Sequence, residues 1–409
     1  MTHAATSAGP TVEATRRAPT TARPSPTVHF PCFDGYRAVA AATVVVTHVS
    51  FFTVVNRFRL LGPYFARFDI GVSFFFLISG FLLYRPFAVA ALRGSTRPAL
   101  RPYLRRRALR IIPAYWGALT LAFFVFRVQS HVRLGDAAFY YGFAQIYDSH
   151  HILGGLSPAW SLDTEVAFYL FVPVWAALTM RAAQRATTRD QRFRAQLYGV
   201  AFLYAVSFVW RLWVMSPLFG SGFTVGPFHV ADGCANVWLP AMLDYFALGM
   251  LLAVVRAWRS EGGSWPAPRL ASAAGRAWVW WVLGGLTFWF VSRHIGLPLD
   301  VRPYGNARLL ERQTLYGLTA FCLLVPGVFG DQGRGVVRGV LKSRVFRWVG
   351  LVSYGVYLWH ELWLHQVQQW TGLRAFTGHF GSTLLAVSAL SLATAGVSYV
   401  VVERPIMRR

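Results

Sequence analysis

The chain has 409 residues, of which 55% are apolar and only 14% charged, about half the charged share of ordinary soluble proteins. Its 40 basic and 16 acidic residues give a formal charge of +24. A nucleic-acid binder carries such an excess on a charge-rich soluble surface, whereas here short Arg clusters alternate with apolar runs, which excludes a string of soluble domains and makes the positive charge a mark of membrane topology.

Residues 1–28 are rich in Ala, Thr and Pro, carry Arg16, Arg17 and Arg23, and have no apolar core. They predict a disordered tail and not a cleaved signal peptide. Residues 29–409 predict one transmembrane domain, with apolar runs at 38–55, 70–92, 108–126, 160–180, 197–214, 238–255, 277–291, 313–329, 349–370 and 382–402, the seventh being the shortest. If the tail is inside, the inner segments hold 28 basic residues and the outer ones 11, with Arg85 left inside the second run. That asymmetry places both termini in the cytoplasm and implies an even number of spans. The fold class expected is an all-α polytopic bundle of about ten transmembrane helices in the plasma (inner) membrane. No repeat of 20–50 residues is visible, and the chain stops within seven residues of the last run. The activity is therefore expected from the bundle. Cys32, Cys234 and Cys322 are too few and too scattered for a disulfide framework or a thiolate metal site.

Ionisable side chains inside spans are costly and are the first functional candidates. Arg37 lies at the inner edge of the first run and His48 eleven residues on, which brings the two onto one helix face and sets His48 about 16 Å deeper. On spacing alone His48 is either a base or a structural histidine bonded to a carbonyl. In the fourth run Glu165 lies below the outer interface, with Tyr169 one turn further on the same face. A carboxylate there either pairs with an Arg or orients an imidazole or a substrate hydroxyl. His360, three residues after Tyr357, also falls at mid-depth. Arg105, Arg106, Arg107 and Arg110 precede Ile111, Ile112 and Pro113 at the cytoplasmic mouth of the third run. Topology alone demands Arg there, yet Arg107 and Arg110 share a face, and paired guanidinium forks suit the phosphates of coenzyme A. His150 and His151 have no third ligand at metal-binding spacing. Ser79-Gly80 has no adjacent base and reads as a helix-packing site.

Together these landmarks resemble acyltransferase family 3, the integral-membrane O-acyltransferases of surface polysaccharides, lipid-linked sugars and some macrolides. Asp34-Gly35-Tyr36-Arg37 with His48 is similar to the family's opening Asp-Gly-x-Arg stretch and its Arg, ten residues, His motif. The run from Phe74 to Phe81 resembles the Phe-rich Ser-Gly motif of its second span, and Arg107-Ala108-Leu109-Arg110 the Arg-x-x-Arg before its third. Trp160-Ser161-Leu162 with Glu165 and Tyr169, then Ser353-Tyr354-Gly355 through His360, and the closing Glu403-Arg404-Pro405, follow in order. Tyr36, where an aliphatic is commoner, and the extra acid Asp163 depart from the pattern, and the esterase-like domain many relatives append is not present in these residues.

The resemblance implies transfer of a short acyl group, acetyl foremost, from cytoplasmic acyl-CoA to a hydroxyl of a sugar-containing or lipid-linked acceptor. His48 is then the general base, Arg37 and Glu165 its catalytic companions, Arg107 and Arg110 the donor-phosphate site, and Tyr169, Tyr357 and His360 substrate contacts. No metal or resident cofactor and no nucleic-acid partner is expected; acyl-CoA is a co-substrate. The rival is a carrier or flippase of a lipid-linked sugar, which calls for internal repeats and broken spans that the sequence does not display.

Overall fold

The computed structural model describes residues 30–128, 134–220, 222–225, 228–265, 268–299, 304–373 and 376–408, so the expected N-terminal tail at 1–28 lies outside the described residues. A helix occupies each of the ten apolar runs. In chain order they are α1 Phe33–Phe52, α2 Gly71–Arg93, α3 Leu100–Phe124, α4 Trp160–Gln184 and α5 Arg189–Val214, followed by α6 Leu239–Ser260, α7 Ala277–Arg293, α8 Asn306–Val328, α9 Arg344–Thr371 and α10 Phe380–Ser398. The expected boundary before the third run is corrected. α3 starts at Leu100, so Arg101 to Arg110 stand on helix and not in a loop, because nothing between Leu100 and the apolar run breaks the helix. The only strands among the described residues are β1 Phe223–Val225 and β2 Phe228–Val230, an antiparallel pair between α5 and α6.

Among the described residues six segments are long and apolar enough to cross a membrane: Phe33–Phe52, Gly62–Arg93, Ser157–Gln184, Arg189–Val214, Asp232–Ser260 and Phe380–Met407. The helices outside that set are α7, with 17 residues, and α3, α8 and α9, whose sequences are diluted by Arg, Gln and aromatic residues. On α4, Leu170, Val174 and Leu178 are exposed at four-residue spacing, and Trp278, Val282 and Leu286 repeat the pattern on α7. Apolar stripes of this kind suit lipid contact.

Helix contacts place the site. α2 and α6 approach so closely that a Cβ on Gly80 would lie 2.3 Å from the Phe246 carbonyl, and one on Gly249 2.0 Å from that of Leu77. This is the small-residue packing by which helices meet in lipid, and it bears out the packing reading of Gly80. α1 lies against α9 in the same way, with Gly350 under the backbone of Asp34.

Loop contacts define two ends of the bundle. At the proximal end, where α1 starts, Arg93 at the end of α2 pairs with Glu261 after α6 at 2.9 Å, and Cys32 donates to Gln332. At the distal end, Phe376 N–H donates to the Phe52 carbonyl at 2.6 Å, Arg293 to that of Arg59 at 2.6 Å, and Asn306 to that of Met215 at 3.3 Å. The long connection before α4 is also pinned distally. Buried Asp148 accepts from His151 Nδ1 at 2.5 Å, from His229 N–H at 2.7 Å and from His150 N–H at 3.1 Å. Burial pushes the Asp148 carboxyl up, but these donors together hold it below the usual range. His151 is thus clamped between Asp148 and, at 3.2 Å, Asp136, which gives the His150-His151 pair a structural task.

Candidate active site

Two cavities among the described residues are lined by the candidate side chains. The proximal one is lined by Arg37 of α1, Ser79 of α2, Arg107 and Arg110 of α3, Glu165 and Tyr169 of α4, and Tyr354 and Tyr357 of α9. Six of the eight residues singled out in the sequence, Tyr357 among them, therefore meet here, although they come from four helices. Arg37 pairs with Asp34 at 3.1 Å. The Arg107 guanidinium lies 5.9 Å from the centre of the Tyr169 ring, within cation–π range. Ser79 donates to the Glu165 carboxylate. Ser79 thus has a polar role beside the packing role of its neighbour, a role its lack of an adjacent base concealed.

The distal cavity, of ≈ 340 Å³, is lined by His48 and Thr47 of α1, Asp69 and Ser73 at the start of α2, Trp160, Arg211, Asn236, Tyr245, Arg312, Gln313 and Tyr316. Phe76 and Tyr357 line both cavities and form the septum between them. The Tyr357 hydroxyl donates to the Pro158 carbonyl at 2.8 Å and accepts from Ser161 at 2.7 Å. It is a wall element whose hydroxyl is engaged within the wall.

His360 lines neither cavity. It is 1% exposed, and the partner the structure gives its Nε2 is His48. His360 Nδ1 lies 2.8 Å from the Tyr357 carbonyl, His360 Nε2 lies 3.2 Å from His48 Nδ1, and His48 Nδ1 lies 2.9 Å from the Val44 carbonyl. Carbonyls only accept, so His360 Nδ1 carries a proton, and its Nε2 is an acceptor in the neutral ring. The shared proton is then on His48 Nδ1, which donates to the Val44 carbonyl and to His360. This assignment leaves His48 Nε2 as a bare lone pair on the ring that lines the distal cavity. The carbonyl-bonded reading and the base reading of His48 are thus compatible, because they use different ring nitrogens.

Arg37 and His48 share a helix face, as their spacing predicts, but Arg37 opens into the proximal cavity and His48 into the distal one. Two further clusters escaped the sequence reading. Arg211 pairs with Asp244 at 2.9 Å, and Gln313 donates to Asp244 at 3.3 Å. Arg312 pairs with Asp69, which also accepts from the Tyr316 hydroxyl at 2.6 Å. The signal for the first was present: Arg211 and Asp244 lie inside apolar runs, where an ionised group requires a partner. Arg211 was absorbed into the topology count, and Arg312 and Asp69 sat at run edges, where charges are ordinary.

Residues 30–403 match the family described as acyltransferase domain, Acyl_transf_3. The chain belongs to this acyltransferase family. It is therefore an acyltransferase and, with its apolar helices, a multi-pass membrane protein. It is 24% identical over 415 residues to acyltransferase MdmB of Streptomyces mycarofaciens, covering 94% of this chain and 93% of that protein. It is 28% identical over 362 residues to the exopolysaccharide production protein ExoZ of Rhizobium meliloti, covering 85% and 92%. Similarity to the peptidoglycan O-acetyltransferase OatA of Listeria monocytogenes is 22% over 356 residues, which cover 81% of this chain and 49% of that protein. No solved structure matches the chain. Membership in an acyltransferase family replaces the carrier reading with an enzymatic one.

Proposed function

We propose that this acyltransferase moves a short acyl group, acetyl foremost, from cytoplasmic acyl-CoA to a hydroxyl of a sugar-containing or lipid-linked acceptor. The observation that carries the reading is His48, bonded through Nδ1 to the Val44 carbonyl and to His360, in the lining of a polar cavity that shares Phe76 and Tyr357 with a second cavity rich in arginine. An alcohol is a poor nucleophile near neutral pH, and a neutral imidazole is matched to removing its proton. The hydroxyl oxygen attacks the thioester carbonyl carbon while its proton passes to His48 Nε2. The C–S bond then breaks, the proton on His48 passes to the departing sulfur, and the products are the ester and free coenzyme A. His360, bonded to the Tyr357 carbonyl, holds the His48 ring in the tautomer this requires. Arg37 and Glu165 border the path of the thioester from the proximal side, where guanidinium donors suit charge developing on its carbonyl oxygen. The relatives named as O-acetyltransferases support the acyl class, and those named for exopolysaccharide and peptidoglycan support a glycan acceptor.

In this reading all ten long helices cross the plasma (inner) membrane, and the proximal end with both termini faces the cytoplasm, because its segments hold 28 basic residues against 11 distally. A cysteine placed at Arg101 is expected to resist impermeant maleimide in intact cells and to react after permeabilisation; labelling in intact cells would invert the orientation.

The donor site follows from the same cavity. Arg107 and Arg110 lie one turn apart on α3 and both line it, a geometry suited to phosphate oxygens. Replacing either with Ala is expected to raise the KM for acetyl-CoA by about tenfold or more, the loss of one charge-assisted contact, with the acceptor KM little changed. Initial rates over a matrix of both substrates separate the two. Equal shifts in both constants would deny the arginines a donor-specific role.

A further inference from the structure

We infer that the distal cavity selects a neutral, polyhydroxylated ring as acceptor and disfavours carboxylated or phosphorylated sugars, with Asp69, Arg312 and Tyr316 as the specificity-determining group. The inference rests on the acyl-transfer reading above and adds to it the chemical class of the acceptor.

Charge compensation is the first argument. The charged groups lining the distal cavity are Asp69, Arg312 and Arg211, and each arginine already has a carboxylate: Asp69 for Arg312 and the deeper Asp244 for Arg211. Arg312 also donates to the Tyr304 hydroxyl at 3.0 Å. An anionic acceptor would have to draw an arginine away from its partner and leave an aspartate buried and unpaired, which is costly. The proximal cavity differs in its lining, which presents three arginines, Arg37, Arg107 and Arg110, and one carboxylate, Glu165, with Asp34 bonded to Arg37 and Glu403 near Arg110 outside the lining.

The second argument is unspent hydrogen-bonding capacity. Thr47 Oγ1, Asn236 Oδ1, Arg211 Nε and Arg312 Nε belong to residues lining this cavity, and each is a buried atom with no hydrogen-bond partner. Buried polar atoms are ordinarily satisfied. Two of these atoms donate only and one accepts only, while the threonine hydroxyl does either, a mixture that ring hydroxyls match because each both donates and accepts. A carboxylate standing in place of one of these hydroxyls offers acceptors alone and cannot serve Asn236 Oδ1. The third argument is shape. Trp160, Tyr245 and Phe76 supply apolar walls to a volume of ≈ 340 Å³, within the usual range for small-ligand sites of about 300–1,000 Å³. Polar rims with aromatic walls suit a pyranose, which has hydroxyls at its edge and C–H groups on its faces.

The test uses the full-length protein in detergent with two matched probes, p-nitrophenyl β-D-glucopyranoside and p-nitrophenyl β-D-glucuronide. Their apparent Kd values come from the ligand dependence of the unfolding temperature, and acetyl transfer from acetyl-CoA is followed in parallel. Wild type is expected to bind the glucopyranoside more tightly by at least about tenfold, the worth of one charged hydrogen bond lost or repelled. Tyr316→Phe should weaken the glucopyranoside. Asp69→Asn, which removes the carboxylate and frees Arg312, should narrow or reverse the preference by strengthening the glucuronide, a gain that misfolding does not produce. Equal or tighter glucuronide binding by wild type, binding of neither probe, or an unchanged ratio in Asp69→Asn overturns the inference. If discrimination appears as expected but no acetyl group reaches the glucopyranoside in wild type, the acyl-transfer reading fails while the cavity assignment stands.

Discussion

Replacing His48 with Asn is expected to lower acyl transfer by about 10²–10⁴-fold, the usual contribution of a general base, in protein that remains folded. The expectation follows from which ring nitrogen does what. Nδ1 is committed to the Val44 carbonyl and to His360, and an asparagine amide can preserve much of that polar contact. Nε2 is the atom the substitution cannot replace, because an amide does not take up a proton near neutral pH. The loss should therefore fall on kcat, with the KM for acetyl-CoA nearly unchanged, since the arginines of the proximal cavity are untouched. Initial rates with purified protein, acetyl-CoA and a saturating glycoside decide it. Transfer within about threefold of wild type, well short of a lost base, would move proton abstraction to Glu165 and leave His48 a structural residue. His360→Asn tests the tautomer separately: a smaller loss with a displaced pH profile marks a positioning residue, whereas a pure loss of folded protein marks packing.

Replacing Asp244 with Ala should destabilise the bundle by about 3–5 kcal/mol, the cost of leaving one member of a buried ion pair without its partner. Arg211 and Asp244 have side chains 6% and 2% exposed. Arg211 also donates to the Ala241 carbonyl at 2.5 Å, so the guanidinium is held in place after its carboxylate is gone. The double replacement Arg211→Met with Asp244→Leu removes both charges at similar volume and should recover most of the loss. Thermal unfolding of the three variants in the same detergent is the measurement. A cost under about 1 kcal/mol for Asp244→Ala, the scale of an exposed pair, would mean that water in the distal cavity screens the charge. Recovery in the double variant without glycoside binding would separate the pair's structural task from its place in the cavity wall.

Much of this was legible in the sequence, and the limits have physical causes. The apolar runs found their helices because hydrophobicity over a spanning length is a local property. Arg107 and Arg110 could be placed together because they sit one turn apart on one helix. The partition of the site was not legible. At 100° per residue Arg37 and His48 share an azimuth, but eleven residues also separate them by about 16 Å along the axis, and that depth puts them in different cavities. Pairings across the chain were equally hidden: His360 meets His48 from 312 positions away, and Arg312 meets Asp69 from 243. Charges at the ends of apolar runs read as topology until a partner across the bundle is seen. The start of α3 was missed because Arg is a good helix former and extends a helix beyond its apolar stretch.

The septum of Phe76 and Tyr357 has a consequence for the cell as well as for catalysis. Two polar recesses that reach toward each other from opposite faces would, if joined, be a leak for ions and small solutes. Here the junction is aromatic on both sides, and one of its members is anchored by its hydroxyl to Ser161 and the Pro158 carbonyl, so the barrier does not depend on a bound substrate to stay closed. In the proposed reaction the acceptor hydroxyl and the thioester carbon have to meet at this junction, so the septum must yield locally for transfer, and its place is then filled by the two reactants themselves. A junction that parts only around bound reactants would let the proposed transfer proceed without an open path for solutes through the bundle.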